Sequence, residues 1–106
     1  MTETIQHFSD NEFHNQIKQG VVLVDFHANW CGPCRTLAPV LEQVAKDLQG
    51  KAIIGKIDID NEQKTAAEFQ ITSVPTMVLF KDGKEVGRLV GLRNADAVKE
   101  FISSAK

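Results

Sequence analysis

Cys31 and Cys34 are the only cysteines in the 106-residue chain, and only Gly32 and Pro33 separate them. Thiols this close can form a disulfide and open it again, storing or delivering two electrons with no prosthetic group. The reacting species is the thiolate, so one sulfur must ionise near neutral pH. Cys31 falls where a strongly apolar, β-branched run ends and a helical pattern starts. At a helix N-terminus, unpaired N–H groups and the helix dipole favour an anion. Bringing a thiol from ~8.5 to ~7 takes about 2 kcal/mol of preference for the thiolate. A helix end contributes roughly 0.3–1 kcal/mol, reaching about 2 only in favourable geometry. Local N–H donors and the Cys34 thiol must supply the rest. Gly32 permits close approach of a substrate backbone, and Pro33 stiffens the turn between the sulfurs. The spacing makes Cys31 the nucleophile and Cys34 the thiol that resolves the mixed disulfide.

Other uses of the pair fit less well. A structural disulfide closing about four residues would contribute only ~2 kcal/mol on the chain-entropy relation. A structural zinc site needs four ligands. The chain has no second cysteine pair, and His7, His14 and His27 are scattered, so no metal is expected.

Asp25 is the other residue with chemical potential. It interrupts Val21-Val22-Leu23-Val24-Asp25-Phe26, a run otherwise suited to burial, six residues before Cys31. Strand alternation places it on the face of Val21 and Leu23. A buried carboxyl has a raised pKa and can move protons near neutrality. A structural acid, or one at a strand end facing water, is the alternative reading.

The elements that must position these groups follow from periodicity. Thr4–Phe8 reads as a short strand. Ser9 and Glu12 form a capping-box pattern flanked by Phe8 and Phe13, predicting a helix to about Gln19 that Gly20 stops. Val21–Ala28 reads as a central strand covered on both faces. Leu37, Val40, Leu41, Val44, Ala45 and Leu48 mark an amphipathic helix ending near Gly50, with a kink expected at Pro39. Ala52–Ile59 reads as a strand, and Asn61 as the cap of a short helix through Phe69. Met77–Phe80 and Glu85–Val90 form a hairpin around Lys81-Asp82-Gly83-Lys84. Asn94 caps a last helix that buries Ala97, Val98, Phe101 and Ile102. The order βαβαβαββα predicts an α/β fold: a mixed five-stranded sheet flanked by four helices.

Composition sets further bounds. One hundred and six residues with 42% hydrophobic side chains fit one domain, residues 1–106. Twelve basic against fourteen acidic side chains leave no basic stripe, which argues against nucleic acid as a partner. No run approaches the ~18 apolar residues of a membrane span. The opening MTETIQHFSD lacks the features of a secretory signal, so a cytoplasmic location is expected.

The segment Phe26-His27-Ala28-Asn29-Trp30-Cys31-Gly32-Pro33-Cys34-Arg35 resembles the active-site segment of the thioredoxin family. The resemblance extends to Pro39, Lys56, Val74-Pro75-Thr76, Gly83 and Gly91, and so covers essentially the whole chain. It implies the thioredoxin fold and a protein-disulfide reductase and electron carrier that turns over only with a reductase. That reductase would be an NADPH-dependent thioredoxin reductase. Clients would be disulfide-bearing proteins of the ribonucleotide reductase, peroxiredoxin or methionine sulfoxide reductase type, met by a monomer needing no cofactor. The resemblance assigns Asp25 the task of helping to deprotonate Cys34, with Lys56 as its partner on the neighbouring strand. It also implies a cis bond before Pro75, beside the dithiol. Trp30, Val74, Pro75, Thr76 and Gly91, with Pro33, would form the client-docking surface, and the Val74 backbone would pair with an extended client segment. One departure stands out: His27 occupies a position where many members carry an aromatic residue. It is either a hydrogen-bonded packing residue or a second proton-active group.

Two rival functions remain open at this level. An oxidase or isomerase of folding proteins commonly carries a histidine between the cysteines, where this chain has Pro33. A binding module with an incidental dithiol would keep its partner when both cysteines are replaced.

Overall fold

The computed structural model describes residues 5–105. Along the chain run β1 (Ile5–His7), α1 (Phe13–Gln16), β2 (Val21–His27), α2 (Gly32–Asp47), β3 (Ile53–Asp58), α3 (Gln63–Glu68), β4 (Thr76–Lys81), β5 (Lys84–Val90) and α4 (Ala95–Ser103). Among the described residues the strands form one sheet in the order β1-β3-β2-β4-β5. β3 pairs parallel with both β1 and β2, whereas β4 pairs antiparallel with β2 and β5. The mixed sheet and its four helices are those the periodicity predicts. Thr4, placed in the first strand by its sequence, lies outside the described residues.

β2 is central because both of its faces are apolar, and Val22 through Phe26 are buried without a break. Leu23 faces a cluster with Ile54, Met77 and Leu79, closed by Leu37, Leu41 and Val44 of α2 and by Val98 and Ile102 of α4. Val22, Val24 and Phe26 face the opposite cluster, built with Phe13, Ile17, Val78 and Phe80. On that side Phe13 meets Phe80 edge to face with ring centroids 5.7 Å apart. Each β2 side chain therefore has a fixed face, which fixes where Asp25 and His27 stand.

The β4–β5 turn holds Asp82 at φ 50° and Gly83 at φ 87°. Positive φ at both central residues is the geometry an Asp-Gly hairpin turn demands. Asn94 caps α4 through its Oδ1, which accepts from the Ala97 amide at 2.8 Å. Val98 and Ile102 are buried, while Ala97 is only half-buried and Ala95 packs against the core in its place. Pro39 lies within α2 without ending it.

The structure corrects both caps expected around α1 and α3. Glu12, not Ser9, occupies the N-cap of α1, and α1 stops at Gln16 rather than Gln19. The Ser9 amide donates to Gln16 Oε1 at 3.3 Å, so no Ser9–Glu12 box forms. Phe8 and Phe13 still meet, with centroids 6.1 Å apart. Asn61 does not cap α3 either; its amide and side chain turn to Asp58. The cap comes from Asp10, on the far side of the sequence. Its Oδ1 accepts from the Thr65 amide at 2.8 Å and the Thr65 hydroxyl at 2.6 Å, and its Oδ2 from the Lys64 amide at 3.2 Å. Glu62 returns the contact by accepting from the Asp10 amide at 2.8 Å. The reciprocal logic is that of a capping box, assembled across 55 residues.

Candidate active site

Cys31 is the N-cap of the sixteen-residue α2, in extended conformation at φ −91°, ψ 115°. Its Sγ accepts a hydrogen bond from the Cys34 backbone amide at 3.1 Å. This is the N-cap arrangement in which a side chain satisfies one of the helix's unpaired N–H groups, here with sulfur as acceptor. Pro33, in the first turn, lacks an N–H that would have had no intrahelical partner. Cys31 and Cys34 are joined by a disulfide, with Cα atoms 5.2 Å apart.

That amide resolves the shortfall in thiolate stabilisation. A hydrogen bond to a charged group contributes about 1.5–3 kcal/mol. It is itself one of the helix-end donors, and on that scale it alone supplies about the required 2 kcal/mol without an added cation. Cys31 is 4% exposed and Cys34 5% in this oxidised form, but Trp30, Gly32 and Pro33 around them are exposed. The Cys31 Sγ also lies 3.7 Å from the carbonyl oxygen of Val74.

Trp30 is 67% exposed, and its indole Nε1 donates to Asp60 Oδ2 at 2.9 Å. Asp60 is in turn held by its amide, which donates to Asp58 Oδ1 at 2.8 Å. On the other side of the dithiol, Arg35 Nη1 donates to the Asn29 carbonyl at 2.9 Å and ties the loop to α2. Sequence reasoning missed Asp58 and Asp60 as supports. Their signal was the Asp-Ile-Asp-Asn run at a strand end, which favours side-chain-to-backbone turns.

The Val74–Pro75 bond is cis. The Pro75 carbonyl accepts from the Gly91 amide at 2.8 Å, so these two residues lie side by side next to the dithiol loop. Val74 packs against Ala28, Cys31 and Cys34. Val90 and Leu92, flanking Gly91, are exposed apolar side chains. Thr76, expected in the contact surface, is 3% exposed, and its hydroxyl donates to the Ser73 carbonyl at 2.7 Å. Its side chain is buried and holds the loop from within. Pro75 is likewise buried.

Asp25 is 1% exposed, and among the described residues its Oδ1 has no hydrogen-bond partner. Burial pushes its pKa up to about 7, and the nearby Lys56 charge only partly opposes this. Asp25 and Lys56 are direct partners in the parallel β2–β3 ladder. Lys56 is half-buried, and no ion pair closes between the two among the described residues. His27, two residues beyond Asp25 on the same face, is half-buried. Burial and then the Lys56 charge hold its pKa below the ordinary value; Asp58 opposes the shift and His7 adds to it. Burial and the Lys56 charge both favour the neutral imidazole. Among the described residues, no three of His, Cys, Asp and Glu converge as a metal site would require. No helix among them is long and apolar enough to cross a membrane.

Comparison with known proteins agrees with this geometry. A family model described as Thioredoxin matches residues 4–104. A thioredoxin of Staphylococcus saprophyticus is 48% identical over 94 residues, which cover 89% of this chain and 90% of that protein. Thioredoxins of Staphylococcus epidermidis and Staphylococcus aureus are 46% and 45% identical over the same shares. With a sulfur-capped α2, a dithiol closed into a disulfide and this similarity along almost its full length, the chain belongs to the thioredoxin family.

Proposed function

We propose that the protein is a two-electron thiol–disulfide oxidoreductase that reduces disulfides in other proteins. The observation that carries this reading is the Cys34 amide on Cys31 Sγ at the start of α2, which makes position 31 a place for negative sulfur. The Cys31 thiolate attacks one sulfur of a client disulfide, forming a mixed disulfide and releasing the client's other sulfur as a thiolate. Cys34 then loses its proton to the Asp25 carboxylate and attacks Cys31 Sγ. The second client sulfur leaves as a thiolate and takes a proton from water. The client has gained two electrons, and the protein carries the Cys31–Cys34 bond.

Asp25 acts as proton acceptor for Cys34 because its burial gives it a pKa near neutrality, matched to that task. Lys56 keeps the Asp25 anion attainable in an otherwise apolar setting. Gly32 and Pro33 set the approach to the sulfurs, while Trp30, Pro33, Val74 and Gly91 form the docking surface with the exposed Val90 and Leu92. Pro75 and Thr76 shape that surface from beneath. An NADPH-dependent thioredoxin reductase returns the protein to the dithiol form, so turnover depends on that partner. Clients of the ribonucleotide reductase, peroxiredoxin and methionine sulfoxide reductase type, a cytoplasmic location and a monomeric single domain complete the reading.

Cys34→Ser tests it. This variant should accumulate mixed disulfides through Cys31, released by added dithiol, and Cys31→Ser should yield none. Recovery of no adducts from a thiol-blocked extract would contradict the reductase assignment.

A further inference from the structure

We propose that His27 relays protons between Asp25 and solvent. The relay rests on the reading of Asp25 as proton acceptor for Cys34, and it answers a question that reading raises. A carboxyl that takes a proton in each cycle must lose it again, yet Asp25 is 1% exposed. Its buried Oδ1 has no partner among the described residues, so this polar atom is left open to a proton carrier.

The sheet register identifies which groups surround this oxygen. His7, Lys56 and Asp25 form one row across β1, β3 and β2, and Asp58 and His27 form the next row toward the carboxyl ends of the strands. Residues two apart on a strand share a face. All five therefore lie on the face of Ile5, Leu23 and Ile54, which α2 covers. Lys56 is a cation and has no acceptor site for a proton. The Asp58 carboxylate accepts from the Asp60 and Asn61 amides and the Asn61 side chain, which turns it toward the β3–α3 loop. Met77, beside Asp25 on β4, offers only a thioether. His7 stands on the far side of Lys56 from Asp25.

His27 combines the properties required. It is half-buried, with Asp25 on one side and the exposed Asn29-Trp30 loop on the other. A neutral imidazole carries one donor and one acceptor nitrogen, so it can accept a proton at one and release one at the other. Same-face neighbours on a strand are about 6.6 Å apart at Cα, a span that two side chains and one water bridge. The titratable groups facing it are Lys56 and Asp58 on β3 and His7 on β1; burial and the net effect of these neighbours favour its neutral, accepting form. In the step, protonated Asp25 gives its proton through water to the imidazole, which becomes imidazolium. The imidazolium passes a proton to bulk water or buffer. Nothing is oxidised or reduced.

The test is multiple-turnover reduction of a protein disulfide at pH 7 in dilute buffer, with excess dithiol recycling the protein and imidazole then added in steps. The wild-type rate should not depend on imidazole. His27→Gln, which keeps polarity but cannot carry a proton, should be about 10-fold slower and recover as imidazole rises. His27→Phe, which has the aromatic character common in the family, should behave likewise and covers the case in which His27→Gln fails to fold. Full speed in His27→Gln, or a slow rate that imidazole does not move, would overturn the relay. Asp25→Asn run in parallel separates the two layers. If Asp25→Asn matches wild type, the role of Asp25 itself falls. If it is slow while His27→Gln is fast, only the relay falls.

Discussion

The backbone amide of Cys34 points at the sulfur of Cys31, 3.1 Å away, so one cysteine of the pair supports negative charge on the sulfur of the other. Its N–H supports the thiolate at position 31 while its own sulfur waits at 5% exposure. Division of labour between two identical side chains thus comes from their places in one helix: Cys31 is the N-cap, and Cys34 lies three residues on, inside the first turn. The sulfur at the cap gains N–H donors and the positive end of the helix dipole. Among the described residues the sulfur inside the turn receives no such donor, so a base must take its proton before it attacks.

Asp25 should trade stability for rate. Its folded pKa of about 7 lies above the ordinary 3.8, so between those values the folded protein binds more protons than the unfolded chain. Stability therefore falls as pH rises from about 4 to about 7 and stays low above that. Asp25→Asn should raise the unfolding free energy at pH 8, by about 4 kcal/mol at most, and flatten its pH dependence. Disulfide reduction near pH 7 should slow in the same variant. Chemical denaturation at pH 5 and pH 8, with reduction rates alongside, checks both signs.

Gly55 marks a place where the fold has no space. A Cβ there would meet the Phe8 ring at 2.4 Å, and Phe8 is buried and cannot swing away. Overpacking of this kind costs about 1–3 kcal/mol. Gly55→Ala should lower the unfolding free energy by that amount while the Cys31 reaction, at the start of α2 on the other face of the sheet, stays within about 2-fold of wild type. Urea unfolding and thiol reactivity measured together read the two effects separately.

Asp10 should make the protein sensitive to acid. Hydrogen bonds from Thr65, and to a lesser extent from Lys64, hold its carboxyl below the usual range. A lowered folded pKa means the contribution is complete above the unfolded value near 3.8 and disappears as pH falls through the folded one. Asp10→Ala should lower the melting temperature at pH 7 and remove part of the wild type's loss of stability in acid. Asp10→Asn should recover some of the neutral-pH stability, because an amide oxygen can still accept from the Thr65 amide.

Most of what positions the dithiol is local and was legible for that reason. The β-branched run of β2, the helical stripe from Leu37 to Leu48, the Asp82-Gly83 turn and the Asn94 cap each declare themselves within a few residues. The burial of Asp25 was legible as one of two readings, since an acid among valines on a central strand is either buried or at a strand end facing water. What could not be read is whatever depends on distant segments meeting. Ser9 and Glu12 match a capping box, but the neighbouring Asp10 finds better donors on α3, and the local pattern yields to a tertiary one. Asn61 loses its expected role to the same contact. Thr76 sits in a motif shared with the family, which says that it matters without saying which way it faces. Its side chain is buried, and its hydroxyl donates to the Ser73 carbonyl. The pairing of Asp25 with Lys56 came from resemblance; strand register, which no spacing within the sequence reveals, is its physical basis.

The central claim is an ionised sulfur at position 31, and alkylation of the fully reduced protein across pH 5–10 measures it. The cap hydrogen bond at the helix end stabilises the thiolate by about 2 kcal/mol or more. The rate at Cys31 should therefore rise with a midpoint near pH 7 or below, against ~8.5 for a peptide thiol. At pH 7 the gain in thiolate, reduced by the lower nucleophilicity of a less basic sulfur, leaves Cys31 about 3-fold faster than that peptide. Cys34 should remain slow throughout. A midpoint for Cys31 at or above 8.5 would contradict the account.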